Sequence, residues 1–227
     1  MPGAYVLMII LFLVGLFVQW RLKSKFAEYS QIALGSGLSG AEVAQRMLQE
    51  NGVTDVRVLS VEGQLTDHYN PQDKTVNLSP DVYAGRSVMA AAVAAHECGH
   101  AVQHKLAYGP LQFRSAIVPF VSLSSQYMQW ILLAGILMIN TSLIPLTVGV
   151  GLFAVTTLFT FITLPVEFDA SRRALAWIES RGVVSPPEYG IAKDGLKWAA
   201  MTYVVAALSS LATLLYYVNI LSGRSRN

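Results

Sequence analysis

The sequence predicts a mainly α-helical, multi-pass membrane protein with about four transmembrane helices and a small β element. Only 13% of its 227 residues are charged and 53% are hydrophobic, whereas about 25% of the residues in a typical globular domain are charged. The charges are also unevenly placed, because residues 115–166 form a run of 52 residues without any. A soluble core does not need so long an uncharged run, but a lipid bilayer explains it.

Four transmembrane helices can be assigned in order. Residues 4–20 form a 17-residue uncharged run, just long enough to cross a hydrocarbon core of about 30 Å. Basic residues and no small-residue cleavage site follow it, so we interpret it as a retained anchor and not a signal peptide. Residues 116–166 are too long for one crossing and predict two helices joined by a turn at Asn140–Pro145. Residues 199–221 form the fourth.

The distribution of lysine and arginine predicts the orientation in the membrane. Segments 21–114 and 167–198 together hold 14 of the 16 basic residues, and four crossings put both segments on one side. We expect that side to be the cytoplasmic face of the cell (inner) membrane, with the lipid bilayer as a partner. The net charge is only +2, which argues against a nucleic-acid binder. Cys98 is the single cysteine, which excludes an internal disulfide and fits a reducing compartment.

Segment 21–114 is predicted to fold as a small α+β unit. Ser39–Glu42 is a capping box that opens an amphipathic helix. Residues 53–61 and 74–78 have the β-branched character of strands. An alanine-rich helix is predicted from 87 to 105.

This alanine-rich helix carries the motif His96-Glu97-Cys98-Gly99-His100. Residues four apart on a helix are offset by only about 40°, so His96 and His100 project from one face a single turn apart. Two imidazoles so placed can both bind a tetrahedral Zn²⁺. Glu97 can border the metal without ligating it and act as the catalytic general base, taking a proton from water that the metal activates. The alternative is a chance arrangement on a structural helix.

A catalytic zinc needs a third protein ligand. A metzincin would have a third histidine at position 106, where this chain has Leu106. His104 lies a further turn along the helix, too far to join His96. Glu167 is the better candidate. It shares one helical stripe with three small residues, Ala170, Ser171 and Ala174, which would allow close approach to the motif helix. The alternative for Glu167 is a carboxylate that merely marks a membrane boundary.

The extended motif resembles the YugP-type membrane zinc metallopeptidases of bacteria. The similarity includes residues 87–103, Leu65-Thr-Asp-His-Tyr69 upstream and Glu167-Phe-Asp-Ala-Ser171 downstream, and covers nearly the whole chain. The chain is also distantly similar to the HtpX-type and CAAX prenyl proteases, where a glutamate that starts a Glu-aromatic-x-Ala-Asp motif is the third zinc ligand. The resemblance implies a zincin-like, gluzincin-like peptidase unit with zinc, and it supports Glu167 as a ligand. Ser171 stands where those families have aspartate, which leaves open whether this position bonds a ligand histidine.

His68 and Tyr69 each have two possible roles. A neutral His68 could donate a hydrogen bond to the oxyanion of a tetrahedral intermediate. Alternatively, it could be a loop histidine that only stabilises the turn in which it lies. The same two interpretations apply to Tyr69.

Together these features favour a membrane-embedded, zinc-dependent endopeptidase that acts on polypeptide or membrane-protein substrates at the cytoplasmic membrane surface. One alternative is a metal-ion transporter, since His and Glu on membrane helices also bind ions. Against it, the motif helix lies between Arg86 and Lys105 and is a poor apolar span. Another is a catalytically inactive zinc-binding membrane scaffold. Structural zinc sites normally have four protein ligands, but here three are found, together with an unused Glu97.

Overall fold

The computed structural model describes residues 2–224, and that part of the chain contains seven helices and a three-stranded sheet. The elements in chain order are α1 (Pro2–Tyr29), α2 (Gly40–Glu50), β1 (Arg57–Ser60), β2 (His68–Asn70), β3 (Thr75–Leu78), α3 (Pro80–Tyr83), α4 (Val88–Lys105), α5 (Gly109–Leu137), α6 (Ile144–Ser180) and α7 (Pro186–Arg224). The predicted fold class, mainly α-helical with a small β element, is confirmed.

Within the described part of the chain, four helices are long and apolar enough to cross a membrane, and they are α1, α5, α6 and α7. Their number agrees with the prediction, and the break between α5 and α6 falls near the predicted turn. The helices are longer than the uncharged runs that predicted them: α6 continues to Ser180 and α7 begins at Pro186. Charge marks where a chain can leave the bilayer, but it does not end the backbone hydrogen bonding of a helix.

Of the described residues, 2–17, 112–164 and 202–224 cluster as one compact unit. Within it, α5 and α6 pack closely because glycine lies at their contact: a Cβ added to Gly135 would lie 2.5 Å from Cα of Leu146. The hydroxyls of Thr157 on α6 and Ser210 on α7 share a 2.7 Å hydrogen bond. Small residues and hydroxyl pairs of this kind are typical of contacts between membrane helices.

Residues 18–111 and 165–201 form the second unit. Its sheet has the order β1-β3-β2, with β1 parallel and β2 antiparallel to the central β3. In this sheet Val76 pairs with both Val58 and Tyr69. Strand β2 was not predicted, because three residues are too few to show a β periodicity. The predicted strand 53–61 is real but shorter, at 57–60.

Helix α4 is the central element of this second unit. Its alanine side chains are buried along nearly the whole helix, and they join the core cluster formed by α2, the sheet and parts of α6 and α7. The predicted capping box is present on α2: Ser39 Oγ accepts from the Glu42 amide at 3.2 Å, and the Ser39 amide donates to Glu42 at 2.7 Å. On α4 itself, Ser87 caps the first turn by accepting from the amide of Ala90.

Candidate metal centre

The two motif histidines lie on one face of α4, as the four-residue spacing predicts. Their ring centroids are 4.8 Å apart and the rings are nearly perpendicular, at 84°. Nε2 of His96 lies 3.4 Å, and Nε2 of His100 3.6 Å, from the same oxygen, Oε2 of Glu167. A turn of α4 and a residue far along the chain therefore converge on one point.

Glu167 reaches this point because α4 and α6 approach each other backbone to backbone. A Cβ added to Gly99 would lie 2.7 Å from the carbonyl oxygen of Ala170, so only glycine fits there. Ala170 and Ala174 are wholly buried on the facing stripe of α6. The Glu167 residue is only 3% exposed, so its carboxylate is largely shielded from bulk water.

The spacing of the three ligand atoms suits a zinc ion. They lie within 4.8 Å of one another, and among residues 2–224 His96, His100 and Glu167 are the group able to hold a metal. Tetrahedral bonds of about 2.0–2.2 Å put neighbouring ligand atoms about 3.4 Å apart, which is close to the two separations that involve Glu167. Two imidazoles and one carboxylate also match a donor set of catalytic zinc sites, in which a fourth position stays open.

Both histidines are held at the ring nitrogen that faces away from Glu167. Nδ1 of His96 is 3.0 Å from Oγ of Ser171, and Nδ1 of His100 is 3.0 Å from Oε1 of Gln103. The short side chain of Ser171 therefore does reach a motif histidine, which answers the question that the sequence left open. In each ring Nε2 is the nitrogen directed at Glu167.

Gln103 and Asp169 are two polar residues beside the site that sequence reasoning did not identify. Both are buried, and Gln103 Nε2 donates to Asp169 Oδ2 at 2.9 Å. Asp169 also accepts from Arg173 at 2.6 Å and from Arg172. The available signal was the spacing of three between His100 and Gln103, since residues i and i+3 are neighbours on a helix surface.

Glu97 is next to His96 in the chain, but among the described residues the group that could hold a metal does not include it. It is 8% exposed. Burial lowers the pKa of His100, but its hydrogen bond to Glu167 and the negative charges of Glu97 and Glu167 outweigh this, so that the pKa is raised. Glu97 is therefore close enough to act electrostatically on the site.

The structure engages His68 and Tyr69 in local hydrogen bonds. The thiol of Cys98 likewise donates a hydrogen bond, to the buried carbonyl oxygen of Ala44 at 3.5 Å. Nδ1 of His68 lies 2.7 Å from the carbonyl oxygen of Thr66, and Nε2 lies 3.2 Å from the side-chain nitrogen of Asn77. The hydroxyl of Tyr69 is 2.8 Å from Nδ1 of His104. These bonds favour the structural role for His68 and join Tyr69 on β2 to the last turn of α4.

Comparison with known proteins gives two matches. Residues 4–222 match the family described as "Putative neutral zinc metallopeptidase". The chain is 46% identical over 210 residues to "Putative membrane protease YugP" of Bacillus subtilis (strain 168), and the alignment covers 92% of each chain. No solved structure matches.

Proposed function

The chain belongs to the family of neutral zinc metallopeptidases, and on that premise we propose that it is a membrane-embedded endopeptidase that hydrolyses polypeptides at the cytoplasmic membrane surface. The observation that carries this proposal is the convergence of His96, His100 and Glu167 on one point, with distances of 3.4 and 3.6 Å to Glu167 Oε2.

His96, His100 and Glu167 would hold the metal through Nε2, Nε2 and a carboxylate oxygen. When bound, zinc supplies a Lewis acid that polarises a carbonyl group and makes a water molecule more acidic. With three protein ligands, one coordination position would stay open for water or substrate. A structural zinc would normally have a fourth protein ligand, so the donor set supports catalysis over a scaffold.

Glu97 is the proposed general base. It follows His96 directly on α4, so its carboxylate is offset by about 100° from the first ligand and borders the site without occupying it. The Glu97 carboxylate would take the proton from the attacking water and return it to the amine nitrogen as the peptide bond breaks. Because Glu97 is only 8% exposed, bulk water competes little for that proton.

The location at the membrane is supported by the sequence around Glu167. The uncharged run ends at residue 166, and Glu167 is the next residue, in a helix that is long and apolar enough to cross a bilayer. The basic residues of segments 21–114 and 167–198 favour the cytoplasmic side. Polypeptides and membrane proteins that expose a chain near that surface are the proposed substrates.

The decisive experiment is Glu97→Gln in the full-length protein, purified in detergent. Glutamine is nearly isosteric, and Glu97 is not a proposed ligand, so the variant should keep both its fold and its zinc. It should cleave casein about 10²–10⁴-fold more slowly than the wild type, because an amide cannot accept the proton. The two readouts are cleavage rate and zinc content by metal analysis.

A Glu97→Gln variant that cleaves at the wild-type rate would falsify this mechanism. If wild type and variant both bind zinc and neither cleaves casein or a co-expressed membrane protein, the scaffold interpretation replaces the protease. If the protein transports zinc into vesicles and Glu97→Gln changes that transport, the protein is a transporter.

A further inference from the structure

Gln103 is a wholly buried amide on α4, three residues after His100. A buried amide is costly unless its polar atoms are hydrogen-bonded, and those of Gln103 make three bonds. Nε2 donates to the carbonyl oxygen of Val166 at 2.8 Å and to Oδ2 of Asp169 at 2.9 Å. Oε1 lies 3.0 Å from Nδ1 of His100.

These partners allow only one orientation of the amide. A backbone carbonyl oxygen and a carboxylate oxygen can only accept hydrogen bonds, so the group that faces Val166 and Asp169 must be the NH₂. Rotating the amide by 180° would set its oxygen against two other acceptors. Asp169 itself is held in place by Arg173 and Arg172, so the acceptor that orients Gln103 is fixed.

The orientation of Gln103 in turn determines where His100 carries its proton. Oε1 of Gln103 has no hydrogen to give, so Nδ1 of His100 must be the donor of the 3.0 Å bond. In the neutral ring, Nε2 then has the free lone pair, and Nε2 is the nitrogen that faces Glu167 at 3.6 Å. Only this tautomer presents a ligand atom to a metal at that point.

Gln103 also connects the two helices that supply the ligands. Its donors reach Val166 and Asp169, which lie immediately before and two residues after Glu167 on α6. One amide thus bonds a histidine of α4 and the backbone and side chain that flank the carboxylate ligand.

We propose that Gln103 is a positioning residue of the zinc site, which fixes the Nδ1–H tautomer of His100 and holds α6 so that Glu167 meets both histidines. This inference rests on the zinc site proposed above. Metal-ligating histidines depend on such partners, whose loss typically weakens metal binding by about 10–100-fold.

The test compares two substitutions at neighbouring buried positions of α4, in the full-length protein in detergent. Gln103→Met keeps the length of the side chain and removes every hydrogen bond. Val102→Ala is the matched control, because it opens a small gap in the core cluster and lies about 200° around the helix from His100. Zinc affinity is measured by competition with a chromophoric chelator. Gln103→Met should bind zinc about 10–100-fold more weakly, while Val102→Ala should bind it like the wild type. Wild-type affinity in Gln103→Met, or an equal loss in both variants, would overturn the proposal.

A second measurement needs neither zinc nor a variant that folds. Nitrogen-15 NMR of the His100 ring in the zinc-free wild type, at a pH high enough for the ring to be neutral, reports which nitrogen carries the proton. A proton on Nδ1 is the expected result. A proton on Nε2 in the wild type would refute the proposal even if zinc binds. Conversely, if the wild type binds no zinc, the proposed function fails, and the tautomer measurement still decides the role of Gln103.

Discussion

Every protein atom proposed to bind zinc is oriented by its surroundings. His96 is held through Ser171 and His100 through Gln103, both at Nδ1. Partners at that nitrogen fix the ring and make the opposite nitrogen a better ligand. The side chain of Glu167 has little room to change its orientation, because it is nearly buried between two closely packed helices. With only three proposed protein ligands, each one would carry a large share of the binding.

We therefore expect His96→Ala, His100→Ala and Glu167→Ala each to lower zinc affinity by more than about tenfold, since loss of a mere partner to a ligand already costs about 10–100-fold. The measurement is zinc content after purification and dialysis. Glu179→Ala is the control, because Glu179 is an exposed carboxylate on the same helix. Full zinc occupancy in Glu167→Ala would rule out Glu167 as a ligand.

At the scale of elements, the site depends on how closely α4 and α6 approach. The contact point is Gly99, where an added Cβ would come 2.7 Å from the carbonyl oxygen and 3.1 Å from Cα of Ala170. Both atoms belong to the backbone, so a larger residue cannot be accommodated by turning a side chain. The close packing of α4 against α6 thus requires the glycine of the motif, which lies between the two histidines.

Gly99→Ala should lower the free energy of unfolding by about 1–3 kcal/mol, as overpacking of a core does, and should weaken zinc binding because Glu167 moves with α6. The matched control is Gly190→Ala, at an exposed helical glycine where an added Cβ meets nothing within 4 Å. That variant should be neutral or more stable by up to about 1 kcal/mol, since alanine favours helix. Thermal unfolding in detergent, with and without zinc, measures both. Equal behaviour of the two variants would mean that the helices can separate at no cost.

For the whole molecule, the orientation in the membrane determines on which side the site lies. Four candidate crossings place 21–114 and 167–198 on one side if every candidate helix spans the bilayer. The assignment of that side to the cytoplasm stays a prediction from the basic residues. The side on which the site lies decides which polypeptides can be substrates.

Cysteine labelling in intact cells tests this topology. Ser142→Cys, between α5 and α6, should react with a membrane-impermeant maleimide, and Ser60→Cys, at the end of β1, should be protected until the cells are lysed. Cys98 gives no background, because it is wholly buried and burial raises the pKa of its thiol well above the usual range. The reverse labelling pattern would place the site outside the cytoplasm.

The sequence alone was sufficient for features that depend on local spacing or on composition. The four long helices follow from uncharged runs, whose length a bilayer dictates. His96 and His100 share a face because helix geometry fixes the angle between residues four apart. The capping box of α2 is equally local, since it involves only Ser39 and Glu42.

The tertiary structure decided everything that depends on contacts between distant parts of the chain. Strand β2 exists only because β3 pairs with it. The sequence could nominate Glu167, but its convergence with His96 and His100 requires α4 and α6 to pack at Gly99 and Ala170. The sequence did not predict a role for Gln103, because the sequence of a helix does not show which distant groups a glutamine will hydrogen-bond. Its role emerges only when α6 brings Val166 and Asp169 to its amide, since a hydrogen-bond network is defined by all of its members together.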